Sequence, residues 1–250
     1  MYRILVCVAL LSSAVFGVDR ETGKRQAADA QRIIPHFAAG NEWTTTVRLI
    51  NFENASAIFK LSVFDSKGNL TSVQINGSTA SSYTATIPPR GLLDVVLTSS
   101  SGLKTGMLGI DFMGDIRLPF TVFFKTTAQM EGAVSYEEYP DQWLEFVQFD
   151  NTNGASTGIA LADLRPLSTG YGARIEVTCY DHLGSELGTF AGLGGGEQQA
   201  AFDLGSKLSA TRGAKGLCTF AYRSDYSSIT EWDMAVLSLQ FKGANFLPLK

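Results

Sequence analysis

Short apolar runs that alternate with polar positions recur along the chain from residue 33 onward. Clusters of glycine, proline, asparagine and serine separate these runs, which is the pattern of β-strands joined by turns. No segment shows the 3.6-residue periodicity of an amphipathic helix. The alternation predicts strands at 33–38, 44–51, 58–64, 70–75, 82–87, 92–97, 107–112 and 121–126, and again at 146–149, 158–163, 173–180, 188–191, 198–203, 216–222 and 234–241.

The two series of runs correspond to each other. Residues 59–68 read FKLSVFDSKG and residues 175–184 read IEVTCYDHLG, so the same alternating strand ends twice in an aromatic-Asp-x-x-Gly turn. Four pairs of anchors keep a nearly constant separation, which indicates an internal duplication. These pairs are Val47 with Ile159, Phe64 with Tyr180, Leu108 with Cys218, and Phe124-Lys125 with Phe241-Lys242.

The predicted fold is therefore all-β, with two tandem β-sandwich domains related by duplication. The first domain is expected at 33–138 and the second at 139–250. The boundary lies in an acidic stretch that suits a short linker.

The first 17 residues have the features of a signal peptide, with Arg3 before an apolar run and small residues near Gly17. Residues 18–32 are polar and are expected to form a linker. Export to the extracellular space, the periplasm or the cell surface is expected, with no stable membrane span after processing. A retained membrane anchor is the alternative, although the run is short for a span.

Removal of the leader takes Cys7 with it and leaves Cys179 and Cys218. The strand alternation turns both side chains toward the core of the second domain. In an oxidising compartment the pair is a candidate disulfide. Two buried free cysteines, acting as small apolar residues, are the alternative.

The net charge of −4 and the pI of about 5.2 provide no basic face for phosphate binding, so nucleic acid is not an expected partner. Only two histidines exist, His36 and His182, and neither belongs to a cluster with metal-ligand spacing. No metal and no cofactor are expected.

Several motifs together resemble a known type of repeat. They are PHFAAG at 35–40, WTTT at 43–46, IPPRG at 87–91 and STGIALA at 156–162. The chain resembles a tandem, immunoglobulin-like β-sandwich repeat of secreted and mostly uncharacterised bacterial proteins. This resemblance implies export and a sandwich fold, and it implies no activity and no functional residues. The second half departs from the pattern where three glycines at 194–196 replace the Pro-Pro-Arg-Gly turn.

Gly154 to Gly158 match the G-x-S-x-G motif of hydrolases, with Ser156 as the nucleophile and Asp181 and His182 following in the chain. That motif requires a helix after the serine, whereas the sequel here alternates like a strand. A hairpin turn is the preferred interpretation.

The tryptophans Trp43, Trp143 and Trp232 could stack on sugar rings or could close a sandwich core. The expected function is a non-catalytic structural, adhesion or assembly protein at the cell surface, with a protein or glycan partner there. One version is a homo-oligomer formed by pairing of edge strands. A carbohydrate-binding module is the alternative, and a hydrolase is the third hypothesis.

Overall fold

The structure is a computed structural model and describes residues 32–113, 118–126, 130–136, 144–163, 175–194, 197–222, 234–242 and 245–248. In this part of the chain the fold is all-β. The strands are β1 (Arg32–Ala39), β2 (Trp43–Ile50), β3 (Ala57–Phe64), β4 (Val73–Ile75), β5 (Ser78–Ala80), β6 (Ser82–Ile87), β7 (Leu92–Thr98), β8 (Lys104–Phe112), β9 (Phe120–Thr126), β10 (Met130–Tyr136), β11 (Leu144–Asp150), β12 (Ala155–Asp163), β13 (Ile175–Asp181), β14 (Glu186–Leu193), β15 (Gln199–Asp203), β16 (Lys215–Tyr222), β17 (Met234–Lys242) and β18 (Asn245–Pro248).

The strands form four antiparallel sheets. Sheet A has the order β1-β8-β3-β6, and sheet B has the order β10-β9-β2-β7-β4-β5. Sheet C has the order β11-β16-β13-β14, and sheet D has the order β15-β12-β17-β18. Sheets A and B take their strands from residues 32–136, here called the first half, and sheets C and D from residues 144–248, here called the second half.

The strand order of the first half returns in the second. β11, β16, β13 and β14 follow one another in sheet C as β1, β8, β3 and β6 do in sheet A. Sheet D, read from its other edge, repeats the order β10-β9-β2-β7 of sheet B with β18, β17, β12 and β15. The hairpin of β4 and β5 extends sheet B without a described counterpart.

Each half is β-sandwich-like, with its core between its own two sheets. In the first half the core side chains of the central strand β2 are Val47 and Leu49, both fully buried. In the second half Ile159 and Leu161 of β12 take the same places. The period-2 alternation of a strand that faces a core on one side makes these positions visible in the sequence.

The predicted strands are confirmed, with ends that differ by a few residues. The sequence pattern missed β5, β10 and β18, as well as the helix α1 (Leu204–Lys207). Helix α1 is only one turn long, so it has no periodicity to detect. Asp203 starts it as an N-cap, because its side chain accepts a hydrogen bond from the Ser206 backbone N–H.

The two aspartate turns have matching hydrogen bonds. Asp65 Oδ1 accepts hydrogen bonds from the backbone N–H groups of Lys67 and Asn69, each at 2.9 Å. Asp181 Oδ1 accepts from those of Leu183 and Ser185, at 2.8 and 2.9 Å. These backbone donors, with the one from Ser185 foremost, lower the pKa of the Asp181 carboxyl group.

Cys179 and Cys218 form a disulfide bond, as the first of the two alternatives predicted. They lie directly opposite each other on β13 and β16, and both are fully buried. Val63 and Leu108 are an opposed core pair at the same place on β3 and β8. The disulfide therefore occupies the place that an ordinary apolar contact takes in the first half.

One of the four pairs of anchors, Phe124-Lys125 with Phe241-Lys242, is wrong by one residue. Phe124 lies opposite Thr45 on β2, and Gln240 lies opposite Thr157 on β12, so Gln240 is the counterpart of Phe124. Phe241 belongs to the other face of its sheet. A slip of one residue in a strand exchanges its two faces.

The predicted signal peptide and nearly all of the predicted linker lie outside the described residues, as does the predicted boundary at residue 139. Within the described ranges, no helix has the length and apolar character needed to cross a membrane.

Candidate functional site

The outer face of sheet D explains how the two halves pack together. The positions of β12 that face away from the second core hold only small residues, namely Ser156, Gly158, Ala160 and Ala162. The corresponding positions of β2 hold Thr44, Thr46, Arg48 and Ile50, and Arg48 forms an ion pair with Asp94 at 2.7 Å. Small residues allow another sheet to come close, and β1 of the first half lies over this face in contact with β12, β15 and β17.

Three apolar side chains of sheet A are buried by this packing. Ile33, Phe64 and Met107 form a cluster with Ala162 and Ala235 of sheet D. Ile33 is 6% exposed, and Phe64 and Met107 are fully buried. The first core itself continues into the second half through Ala160, Leu237 and Leu239.

Backbone hydrogen bonds also join the halves. The Ser66 carbonyl oxygen accepts from the N–H groups of Gln198 and Gln199 at 2.9 and 3.1 Å. Gly68 suits this contact, because its φ of +79° favours glycine and a Cβ there would displace the end of the Gln198 side chain. The aromatic-Asp-x-x-Gly turn of the first half is thus part of the contact between the halves.

A β-bulge turns His36 toward the second half. The pairing of β1 with β8 shifts between Ile34 and Phe37, so an irregularity falls at Pro35 and His36. The imidazole stacks on Phe124 with ring centroids 6.0 Å apart, and its Nδ1 lies 3.4 Å from Gln199 Nε2. Burial lowers the pKa of His36 from 6.5 to about 4, so the ring is neutral at neutral pH.

Beside His36 lies a cavity of about 310 Å³ between the halves. Its lining is mainly apolar and comes from the outer face of sheet D together with His36. Gly158 and Ala160 lie along its central strand, with Leu239 and Phe241 on the neighbouring strand β17. Ser156 and Asp203 are polar residues of its lining, and the Asp203 side chain also caps helix α1.

Ser156 lies within β12 opposite Phe241, and β12 continues as a strand to Asp163. The preceding turn, where Gly154 has φ +77°, is confirmed, but the hairpin is wrong because β11 and β12 belong to different sheets. The turn crosses from one sheet to the other.

His182 lies elsewhere, in a groove of about 590 Å³ that Asp181 also lines, whereas the cavity of Ser156 contains His36. Among the described contacts no hydrogen bond joins Ser156 to His36.

Of the three candidate tryptophans the structure describes only Trp43. It starts β2, is half-buried and packs against the first core. Trp143 and Trp232 lie outside the described residues. Within the described part of the chain, no group of three His, Cys, Asp or Glu side chains is placed to hold a metal ion.

Sequence reasoning did not single out His36 as a site residue. The one signal for it is Pro35, since a proline within a predicted strand often marks a bulge. The small outer face of β12 was likewise visible in the sequence, but it was interpreted only as a strand.

Comparisons of the chain with family models, curated proteins and solved structures found no match. The resemblance to a secreted repeat stays a prediction.

Proposed function

We propose that the protein is an exported, non-catalytic assembly protein of two duplicated β-sandwich modules, and that its copies associate head to tail through the outer faces of sheets B and C. The duplication is supported by the shared strand order, the matching aspartate turns and the opposed core pairs Val63–Leu108 and Cys179–Cys218.

The contact between the halves is heterologous, because it joins two different surfaces. Sheet A supplies one surface and sheet D the other. The counterpart of sheet A in the second half is sheet C, and the counterpart of sheet D in the first half is sheet B. A repeated heterologous contact leaves one unused surface of each kind at the two ends of the molecule.

The unused surface of sheet C carries apolar side chains at the matching positions. Tyr180 and Leu217 oppose each other as Phe64 and Met107 do, and Phe146 lies opposite Thr219 as Ile33 lies opposite Gly109. Phe146 is 58% exposed, and Tyr180 and Leu217 are half-buried. We call Phe146, Tyr180 and Leu217 the C patch.

The unused surface of sheet B is apolar at the positions that match the other side of the contact. In sheet D, Ala162 lies opposite Ala235 and Gln199. Ile50 lies opposite Leu92 in sheet B, and its N–H donates to the carbonyl oxygen of Pro119. Leu92 is 58% exposed, Pro119 is exposed and Ile50 is half-buried. We call Ile50, Leu92 and Pro119 the B patch.

The proposal depends on a single observation: both free surfaces expose apolar side chains at the positions that are buried where the halves meet. Burial of such side chains is favourable in proportion to the apolar area removed from water. A second copy that places its B patch on the C patch would bury these side chains as the internal contact does, with a wider spacing of the sheets because Arg48 stands where β12 has Ala160. The series would stay open at both ends.

The disulfide supports the proposal of export, because disulfides persist in oxidising compartments. A surface location and a protein or glycan partner there belong to the same proposal. Trp43 offers little to the alternative of sugar binding, because it packs against the first core.

The test is the association state of the mature chain in sedimentation velocity experiments over a range of about 1 to 200 µM, which covers dissociation constants in the micromolar range. Wild-type protein should form a concentration-dependent series of oligomers. Phe146→Ser removes the C patch and Leu92→Ser removes the B patch, and each variant alone should stay monomeric. An equimolar mixture of the two should form dimers and nothing larger, because one intact patch remains on each.

Leu103→Ser is the matched control, since Leu103 is 49% exposed and lies outside both patches. It should associate like the wild type. A monomeric wild type over the whole range would overturn self-assembly. Oligomers that survive in both patch variants would overturn the face-to-face contact and favour edge-strand pairing.

A further inference from the structure

The cavity beside His36 has no part in the proposed association of copies. It lies within a single chain, beside His36 of β1 and against the outer face of sheet D. Its volume of about 310 Å³ is near the lower end of the range of ligand pockets, which are typically about 300–1,000 Å³.

The shape of the cavity follows from the residues of three adjacent strands. Gly158 and Ala160 of β12 are flanked by Ala201 of β15 and by Leu237 and Leu239 of β17. The absence of a side chain at Gly158 lets the Phe241 ring lie close against β12 as part of the cavity wall, because a Cβ there would lie 2.7 Å from this ring. An apolar wall with few polar groups is the usual composition of a small-molecule site.

His36 offers a hydrogen-bond donor to this cavity. The Gln199 amide nitrogen that faces Nδ1 can only donate, so the neutral ring carries its own proton on Nε2. Within the described residues Nε2–H has no hydrogen-bond partner, and the His36 ring lines the cavity. Nε2 is not among the fully buried polar atoms that lack a partner, so this donor can be reached from the cavity, and an acceptor on a bound molecule can take its hydrogen bond.

We propose that this cavity binds a small, uncharged, mainly apolar molecule whose single oxygen acceptor receives the hydrogen bond of His36 Nε2–H. Charged ligands fit poorly. A charged group of either sign would be transferred from water into a mainly apolar space at a high desolvation cost. The Ser156 hydroxyl is a second group that can donate to the same acceptor or accept from a hydroxyl group.

The test uses a neutral solvatochromic ketone, 6-propionyl-2-(dimethylamino)naphthalene, with unsubstituted naphthalene as the ligand that lacks an acceptor. The ketone should bind saturably to the wild type with a blue-shifted emission. Ala201→Trp fills the cavity from an exposed position and should abolish the binding of both molecules. His36→Leu keeps the size of the side chain and removes the donor. It should weaken the binding of the ketone about fivefold to tenfold, which is the effect of one hydrogen bond, and leave the binding of naphthalene nearly unchanged.

The melting temperature of each variant shows whether it is folded, and Phe146→Ser shows whether the probes occupy the C patch instead. Ketone binding that persists in Ala201→Trp, or that disappears in Phe146→Ser, would overturn the proposed site. If His36→Leu weakened the binding of the ketone and of naphthalene by the same factor, the role of the hydrogen bond would be overturned. The result is separate from self-assembly, because every measurement is made below the concentration at which copies associate.

Discussion

His36 shows how the position of one residue couples stability to pH. The ring is neutral and lies between Phe124 and Gln199 of the second half, and desolvation holds its pKa at about 4 against 6.5 in an ordinary environment. In the unfolded chain the ring gains a proton as the pH falls below 6.5, whereas in the folded chain it does so only near pH 4. Between pH 6.5 and pH 4 the unfolded state therefore binds more protons than the folded state, and the free energy of unfolding falls as the pH is lowered.

We predict that the free energy of unfolding is greatest above pH 6.5 and falls by about 3 kcal/mol through His36 between pH 6.5 and pH 4, at 1.36 kcal/mol per pKa unit. Urea unfolding at a series of pH values measures this loss. Other titrating groups contribute to the raw curve, so the useful quantity is the difference in the free energy of unfolding between the wild type and His36→Leu. If the difference in the free energy of unfolding between the two proteins stayed constant over this pH range, the prediction would be contradicted.

At the scale of elements, the paired strands β13 and β16 are held by more than their hydrogen bonds. The disulfide joins residues 39 positions apart in sequence, at the place where the first half has only Val63 and Leu108. A cross-link of this span lowers the conformational entropy of the unfolded chain. The first half folds into the same strand order without one, so the bridge adds stability and does not determine the topology.

We predict that the double variant Cys179→Ala and Cys218→Ala keeps the fold and loses about 4 kcal/mol of unfolding free energy, the chain-entropy value for a loop of this length. Urea unfolding of the variant measures the loss, with circular dichroism as the check on the fold. Wild-type protein treated with a reductant is the control and should show nearly the same loss. An unchanged unfolding midpoint in both would contradict the prediction.

The crossing between sheets is another feature that the two halves share, with different chemistry in each. Thr45 Oγ1 accepts from the Ala38 N–H and donates to the Ala38 carbonyl oxygen, both at 2.9 Å. Its counterpart Thr157 donates to Asn151 Oδ1 at 2.8 Å. Both threonines are fully buried. A buried hydroxyl that must find a partner fixes where the chain leaves one sheet for the other.

These elements show what the sequence could predict. Strand positions, the aspartate turns and the inward direction of Cys179 and Cys218 depend on local alternation, and a single sequence shows that alternation directly. The register of β17 could not be read in this way. Its residues Leu237 and Leu239 are apolar on the face that packs against the first half, so both faces of the strand look like a core face. The bulge at His36 depends on the pairing of β1 with β8, which the local pattern does not contain.

At the scale of the whole molecule, the contact between the halves determines which surfaces are buried and which are free. Ala162 and Ile50 occupy matching positions, but Ala162 is fully buried beneath the first half whereas Ile50 is half-buried on an open face. The first core also includes Ala160, Leu237 and Leu239 of the second half. Because the apolar clusters continue from one half to the other, the two halves should unfold together.

We predict that the wild type unfolds in one calorimetric transition, with equal calorimetric and van't Hoff enthalpies, and that Ala162→Asp separates it into two. A carboxylate at residue 162 would lie unpaired among Ile33, Phe64 and Met107, and an uncompensated buried charge costs about 3–5 kcal/mol. This is enough to break the contact while each core stays intact.

The matched control is Ile50→Asp, which places the same charge at the matching position of the first half, where water can reach it. Below the concentration at which copies associate, this control should keep a single transition with a small change in melting temperature. Two transitions in the wild type, or a single one in Ala162→Asp, would show that the contact does not couple the halves.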